Sequence, residues 1–249
     1  MCHLCDSSRP IHHAPATASR RAVLGTMGAL SWLGFSALTG MAQARTPPKP
    51  DNVLSPDQAI ARLMAGNERY TSGQTRRRNP AATREALARG QNPYACVLSC
   101  ADSRISPELC FDEERGDLFV TRVAGNYVTT DLLASLEYAV AVLKTPLIMV
   151  LGHTSCGAVS AAVNALEKQA EFPGHIQTIV TALMPAVRAA AAKSPTGSLQ
   201  QAATLENIRQ NVQRLQEATP ILSKAVQAGE VKVVGGLYEL ETGRVSPVT

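Results

Sequence analysis

Leu-Ile-Met-Val-Leu at residues 147–151, directly after Pro146, is the stretch of this sequence that decides the fold. Five consecutive apolar residues behind a proline are typical of a strand that is buried on both faces. Similar short apolar runs occupy residues 94–99, 118–123 and 231–238.

The segments between these runs carry apolar residues at helical spacing. They predict helices at residues 56–72, 83–89, 132–142 (capped by Asp131), 157–168, 176–193 and 199–218. Strands that alternate with helices and are almost entirely apolar imply a parallel sheet covered on both faces. We therefore predict an α/β fold with a mostly parallel central β-sheet flanked by α-helices.

The composition of the 249 residues is that of a globular protein, with 45% hydrophobic and 18% charged residues. Aromatic residues make up 4%, so the chain offers few of the stacking side chains that bind single-stranded nucleic acid. The net charge of +4 is too small to indicate a partner. We expect no nucleic-acid partner.

The N-terminal residues have the pattern of an export signal. Residues 19–24, Ser-Arg-Arg-Ala-Val-Leu, resemble the twin-arginine export motif, and a glycine-containing apolar run follows over residues 22–38. Residues 42–44, Ala-Gln-Ala, fit a signal-peptidase site. A membrane anchor or a first core helix could use the same apolar run, but the run is short for a membrane span and diluted by glycine.

The chain divides accordingly into three parts. We predict a twin-arginine-type signal peptide at residues 1–44, an extended leader at residues 45–54 and one folded domain at residues 55–249. The protein would be periplasmic or otherwise exported, with no stable membrane association after signal cleavage. Cys2 and Cys5, with histidines nearby, are either a metal-ligand set or incidental thiols of a leader.

Metal-binding residue types follow two predicted strands at the point where each strand ends. Residues 100–104 read Cys-Ala-Asp-Ser-Arg, and residues 152–157 read Gly-His-Thr-Ser-Cys-Gly. Reactive groups collect at such strand ends in α/β sheets. Zinc prefers thiolate and imidazole ligands, so Cys100, His153 and Cys156 predict a zinc site with an open fourth position. Zinc lowers the pKa of its bound water to about 7, and the helix that begins after Cys156 would favour a thiolate there.

Asp102 and Arg104 are predicted to act beside that metal. The carboxylate can coordinate the metal or accept a hydrogen bond from metal-bound water, and Arg104 can pair with it bidentately and keep it ionised. The alternatives are ordinary buried cysteines, a capped turn at Asp102, or a disulfide between Cys100 and Cys156 in an oxidising compartment. Five such residues at two strand ends favour zinc chemistry.

The two motifs are similar to the paired signature of the β-class carbonic anhydrases. Residues 63–70, 121–126 and 234–238 also resemble that family, and the resemblance covers about residues 55–245. It implies a β-carbonic-anhydrase-like fold and reversible hydration of CO₂ to bicarbonate and a proton through a zinc-bound hydroxide. The metal would be one Zn²⁺ per chain, with Asp102 and Arg104 as the catalytic dyad.

The resemblance also implies four substrate-binding residues. Gln91 matches an amide that hydrogen-bonds the substrate, and Gly157 matches a glycine whose N–H faces the bound anion. Phe119 and Tyr138 match aromatic residues that line an apolar CO₂ pocket. One wall of that pocket comes from a partner subunit, so the resemblance implies a homodimer or a higher multiple of dimers.

One position separates this chain from part of that family. Members with an inhibitory bicarbonate site carry an aromatic residue three positions before the first ligand, whereas Val97 stands here. We therefore predict the open form, in which Asp102 leaves the metal to water at neutral pH. Two alternatives remain: a zinc hydrolase of a CO₂-like molecule such as CS₂ or COS, and a catalytically inactive zinc-binding homologue.

Overall fold

The predicted sheet is present in the structure, a computed structural model that describes residues 54–193 and 195–249. Its strands are β1 (Ala95–Ser99), β2 (Leu118–Arg122), β3 (Leu147–His153), β4 (Lys232–Tyr238) and β5 (Val245–Val248). They lie in the order β2-β1-β3-β4-β5. The first four strands are parallel, and β5 is antiparallel to β4 at the edge. The predicted α/β fold with a mostly parallel sheet is confirmed.

Helices connect these strands in the described part of the chain. They are α1 (Pro56–Thr71), α2 (Pro80–Ala88), α3 (Pro107–Cys110), α4 (Thr130–Ala141), α5 (Gly157–Lys168), α6 (Ile176–Ala192), α7 (Leu199–Glu217) and α8 (Leu222–Gln227). Four-residue α3 and six-residue α8 were not predicted, because such short segments carry no helical repeat of apolar residues.

Both faces of the sheet are buried, which explains why its strands are almost entirely apolar. Ala95 and Val97 of β1 lie in one apolar cluster with residues of α1, α5 and α6. Cys96 and Leu98, which alternate with them, lie in a second cluster with residues of α4, α7 and α8. Side chains of successive residues in a strand point to opposite faces, so the sheet separates two cores.

Polar caps set the starts of three helices. Ser55 forms a capping box with Gln58 at the start of α1, as Ser55 and the proline after it predict. The second helix begins at Pro80 rather than residue 83, because the Asn79 side chain accepts hydrogen bonds from two backbone N–H groups of its first turn. The cap of α4 is Thr129 and not Asp131; the prediction was wrong, and Asp131 lies in the first turn instead.

The predicted signal segment, the Cys2 and Cys5 motif and the leader up to residue 53 lie outside the described residues. Within residues 54–193 and 195–249, none of the helices combines the length and the apolar character that crossing a bilayer requires.

Candidate metal centre

The three predicted ligands come from two neighbouring strands. Cys100 directly follows β1, His153 is the last residue of β3, and Cys156 is the N-cap of α5. β1 and β3 are parallel neighbours with Ser99 opposite Leu151, so their carboxyl ends meet at one edge of the sheet. This register brings residues from distant parts of the sequence to the same place.

Their ligand atoms form one compact, buried cluster. The two sulfurs and the imidazole nitrogen all lie within 4.8 Å of one another, and the Sγ atoms of Cys100 and Cys156 are 4.0 Å apart. All three residues are buried, and both cysteines are free thiols. The disulfide that was considered as an alternative is therefore not formed.

The imidazole of His153 presents an unused lone pair to this cluster. Its Nδ1 lies 2.8 Å from the backbone oxygen of Thr154, which can only accept, so Nδ1 carries the proton. Nε2 is then an acceptor, and it is buried without a hydrogen-bond partner. A buried polar atom left unpaired costs free energy, and a metal ion held with the two thiols would satisfy it. The donor set fits zinc.

The two thiols are not equivalent. The hydrogen bond with Cys156 lowers the pKa of Cys100, and the Gly125 N–H, 3.2 Å from Sγ, adds to this against the effect of burial. The same hydrogen bond and burial raise the pKa of Cys156, although the N–H groups of Val159 and Ala158 in α5 act in the opposite direction. The Gly125 N–H would stabilise a thiolate at Cys100, and the first N–H groups of α5 would stabilise one at Cys156.

Asp102 and Arg104 form the predicted pair beside the cluster. Oδ1 of Asp102 accepts hydrogen bonds from the Arg104 backbone N–H at 3.0 Å and from Nε at 2.9 Å, and Oδ2 accepts from Nη2 at 2.7 Å. Arg104 holds the pKa of Asp102 well below its usual range. Oδ2 of Asp102 lies 3.9 Å from Nε2 of His153, so the ionised carboxylate faces the candidate metal position.

Arg122 is a residue of this site that sequence reasoning missed. Its Nε donates to the carbonyl of Cys100 at 2.9 Å, and its Nη2 donates to the carbonyls of Asp102 at 2.8 Å and Ile105 at 3.0 Å. One guanidinium thus holds the turn that carries both a predicted ligand and the carboxylate. A charged residue at the end of an otherwise largely apolar strand was the signal that could have found it.

Of the four predicted substrate-binding residues, Gly157 lies at the cluster. It is the first residue of α5, directly after Cys156. A Cβ added to Gly157 would meet no atom within 4 Å, so open space lies in front of this position.

The other three lie elsewhere in the chain. Gln91 is exposed and lies before the start of β1, whereas Cys100 directly follows its end. The five residues of β1 span about 16 Å, so the strand separates the two residues. Phe119 of β2 packs against the second apolar cluster, on the face opposite Cys100 and Cys156. Tyr138 of α4 is 48% exposed. Among the described interactions, none joins these side chains to the three predicted ligands.

The sequence of this chain is similar to those of several known proteins. The family described as carbonic anhydrase matches residues 95–245 of the chain. Carbonic anhydrase 2 of Mycobacterium tuberculosis is 36% identical over 193 residues, which cover 76% of this chain and 91% of that protein. The carbonic anhydrase of Mycolicibacterium smegmatis is 37% identical over 194 residues, covering 77% and 92% of the two chains.

A solved structure has the same fold. The β-carbonic anhydrase CcaA is 28% identical, with a TM-score of 0.61 over 76% of this chain and 86% of that one. The chain belongs to the β class of the carbonic anhydrase family.

Proposed function

We propose that this protein catalyses the reversible hydration of CO₂ to bicarbonate and a proton at a zinc ion held by Cys100, His153 and Cys156. The observation that carries the proposal is the buried Nε2 of His153, which has no hydrogen-bond partner and lies with two thiols in one cluster. A zinc ion bound there supplies Lewis acidity, which brings the pKa of water to about 7.

Asp102 is the residue proposed to orient the reacting water, by accepting a hydrogen bond from it. Because both of its oxygens accept hydrogen bonds from Arg104, it remains an ionised acceptor at neutral pH. The same two hydrogen bonds engage both carboxylate oxygens, so they compete with binding of the carboxylate to a metal. This supports the open form, with Val97 in place of an aromatic residue pointing in the same direction.

Gly157 is proposed to receive the charged product. The N-terminus of α5 carries unpaired backbone N–H groups and the positive end of the helix dipole, which favour an anion. Open space in front of Gly157 leaves room for bicarbonate near the Asp102–Arg104 pair.

The apolar wall of the substrate pocket is proposed to form in a homodimer or a multiple of it. Phe119 stands on β2, an edge strand of the sheet, and Tyr138 leaves 48% of its surface exposed in the single chain. Together with Gln91, they would line the pocket only after a second subunit covers this region. A large exposed aromatic side chain is what such an interface requires.

Export through a twin-arginine-type signal is proposed from the sequence of residues 1–44. A variant with Arg20→Lys and Arg21→Lys should remain uncleaved in the cytoplasm. The wild-type chain should be recovered from the periplasm with Arg45 as its first residue. Recovery of full-length wild-type protein in the cytoplasm would contradict the proposal.

The decisive experiment is stopped-flow CO₂ hydration on protein whose zinc content has been measured. Wild-type protein should hold one zinc per chain and be active, and Cys156→Ser should lose both properties. Cys96→Ser is the matched control, since Cys96 is also buried and free but lies in the second cluster. Full zinc content without CO₂ hydration would favour the inactive homologue, and turnover of COS or CS₂ alone would favour the hydrolase.

A further inference from the structure

The backbone N–H of Gly125 donates a hydrogen bond to the sulfur of Cys100, from a loop that contains two residues with positive φ. The N–H of Gly125 lies 3.2 Å from Sγ. Gly125 has a φ of +88°, and a Cβ there would lie 2.8 Å from Cδ1 of Leu183. Asn126, the next residue, also has a positive φ of 42°. Glycine and asparagine are the residues that adopt such conformations most readily, and the loop is also held from outside.

That support comes from two asparagines on α7. Asn207 donates from Nδ2 to the carbonyl of Gly125 at 2.9 Å. Asn211, one turn further on, donates to Oδ1 of Asn207 at 2.9 Å and accepts from the N–H of Val128 at 2.7 Å. Because Oδ1 of Asn207 is already an acceptor, its Nδ2 is the atom that faces Gly125. The chain of hydrogen bonds has one possible direction.

Both asparagines are buried, at 3% and 6% exposure, on the side of α7 that packs on the sheet. Burying an amide costs free energy unless it is fully hydrogen-bonded, and an apolar residue would pack there at no such cost. The presence of two buried asparagines, Asn207 and Asn211, is therefore best explained by their hydrogen bonds to the loop of residues 125–128.

We propose that Asn207 is a positioning residue of the metal centre: by holding the Gly125 carbonyl, it keeps the Gly125 N–H on the Cys100 sulfur. This inference rests on the metal site of the proposed function and adds a residue that does not touch the metal. A hydrogen bond to a ligating sulfur withdraws electron density from it, and therefore limits how strongly the sulfur donates to the ion.

The test is the sulfur-to-metal charge-transfer absorption of the protein loaded with Co²⁺. In Asn207→Leu, which keeps the number and branching of the side-chain heavy atoms but not the donor, the band should move to longer wavelength. Thr204→Val is the matched control: Thr204 is equally buried one turn earlier on α7, and its hydroxyl donates to the carbonyl of Gln200 in the same helix. Its band should stay at the wild-type position.

A band of Asn207→Leu at the wild-type wavelength would overturn the proposal, and so would an equal shift in Thr204→Val. If Asn207→Leu does not fold, Asn207→Ser replaces it, because a serine hydroxyl is too short to reach Gly125 and should give the same shift.

A second measurement needs no variant. In wild-type protein loaded with ¹¹³Cd²⁺, the Gly125 amide proton should show scalar coupling to the metal through the sulfur, and its absence would overturn the proposal. Both readouts are independent of turnover. Cobalt-loaded protein that shows the band shift but no CO₂ hydration would sustain the role of Asn207 while the proposed function failed. Failure of Co²⁺ to bind would overturn both.

Discussion

The guanidinium of Arg122 donates a hydrogen bond of 2.9 Å to the backbone carbonyl of Cys100. The same side chain binds two further carbonyls of the turn that follows, at Asp102 and Ile105. One arginine at the end of β2 therefore helps to fix both the first predicted ligand and the Asp102 carboxylate, which is proposed to be catalytic.

Arg122→Lys should lower CO₂ hydration by about 10- to 100-fold, because an ammonium group cannot reproduce the planar fork that reaches three carbonyls. Stopped-flow assays on metal-quantified protein measure the effect. The matched control is Arg209→Lys. Arg209 also donates to a backbone oxygen of a distant residue, Thr249, which lies 40 positions later in the sequence. Equal activity of the two variants would show that Arg122 does not organise the site.

Asp102→Asn should reduce CO₂ hydration by about 10- to 100-fold while zinc stays bound. The amide loses the charge that pairs with Arg104 and that is proposed to accept a hydrogen bond from the reacting water, whereas the three ligands are unchanged. Glu206→Gln is the control, because Glu206 forms a comparable ion pair with Lys193 at 2.8 Å. The role given to Asp102 is wrong if the variant keeps wild-type turnover at full zinc content.

Metal-free protein should form a disulfide between Cys100 and Cys156 when treated with a thiol oxidant such as diamide. The sulfurs are 4.0 Å apart, so once one thiolate has added to diamide, the other sulfur can attack it and close the disulfide. Diamide accepts the two electrons and the two thiol protons. Thiol titration should show the loss of these two thiols, with Cys96 and Cys110 still reduced. Zinc-loaded protein should resist oxidation by diamide. Equal oxidation of the metal-free and zinc-loaded forms would argue against a metal ion bound by both cysteines.

Asp112→Asn should destabilise the fold by about 3 kcal/mol at pH 7. The buried carboxylate accepts hydrogen bonds of 2.6 Å from both Arg69 and Arg78, and the variant leaves these cations around a neutral amide. Urea unfolding of the metal-free chains measures the difference. Asp57→Asn is the control, because Asp57 makes an exposed ion pair with Lys232 and should change stability by less than about 1 kcal/mol.

The difference in the free energy of unfolding between wild type and Asp112→Asn should change with pH in a defined direction. Burial raises the pKa of Asp112, but the hydrogen bonds from Arg69 and the Arg76 backbone, with the charge of Arg78, lower it overall. A lowered pKa in the folded state adds stability above the unfolded value of about 3.9, and this is lost as the pH falls below it. The gap between wild type and Asp112→Asn should therefore narrow below about pH 4. A constant gap would mean that packing, not charge, explains the loss.

The parts of this fold that could be predicted from sequence are those with a local pattern. The run at residues 147–151 identified β3, and alternation of such runs with helical repeats identified the parallel sheet. The residues after β1 and β3 then identified the cluster of Cys100, His153 and Cys156, because parallel strands end at the same edge.

What escaped prediction depends on contacts between distant residues. Arg122 acts on a turn about twenty residues earlier, and Asn207 acts on Gly125 across 82 positions, so neither leaves a local pattern. Thr129 and Asp131 are both good caps, and only the backbone geometry decides between them. The proposed places of Gln91, Phe119 and Tyr138 in a pocket would depend on a second subunit.

Cys100 and Cys156 enter the cluster 56 positions apart, from segments that follow different strands. An ion held by both, and by His153 at the end of β3, ties these segments together as a cross-link does. Zinc would thus stabilise the fold as well as take part in the reaction, so removing it with a chelator should lower the free energy of unfolding. The concentration of zinc available to the protein would then affect how much of it remains intact in the presence of proteases, as well as its catalytic rate.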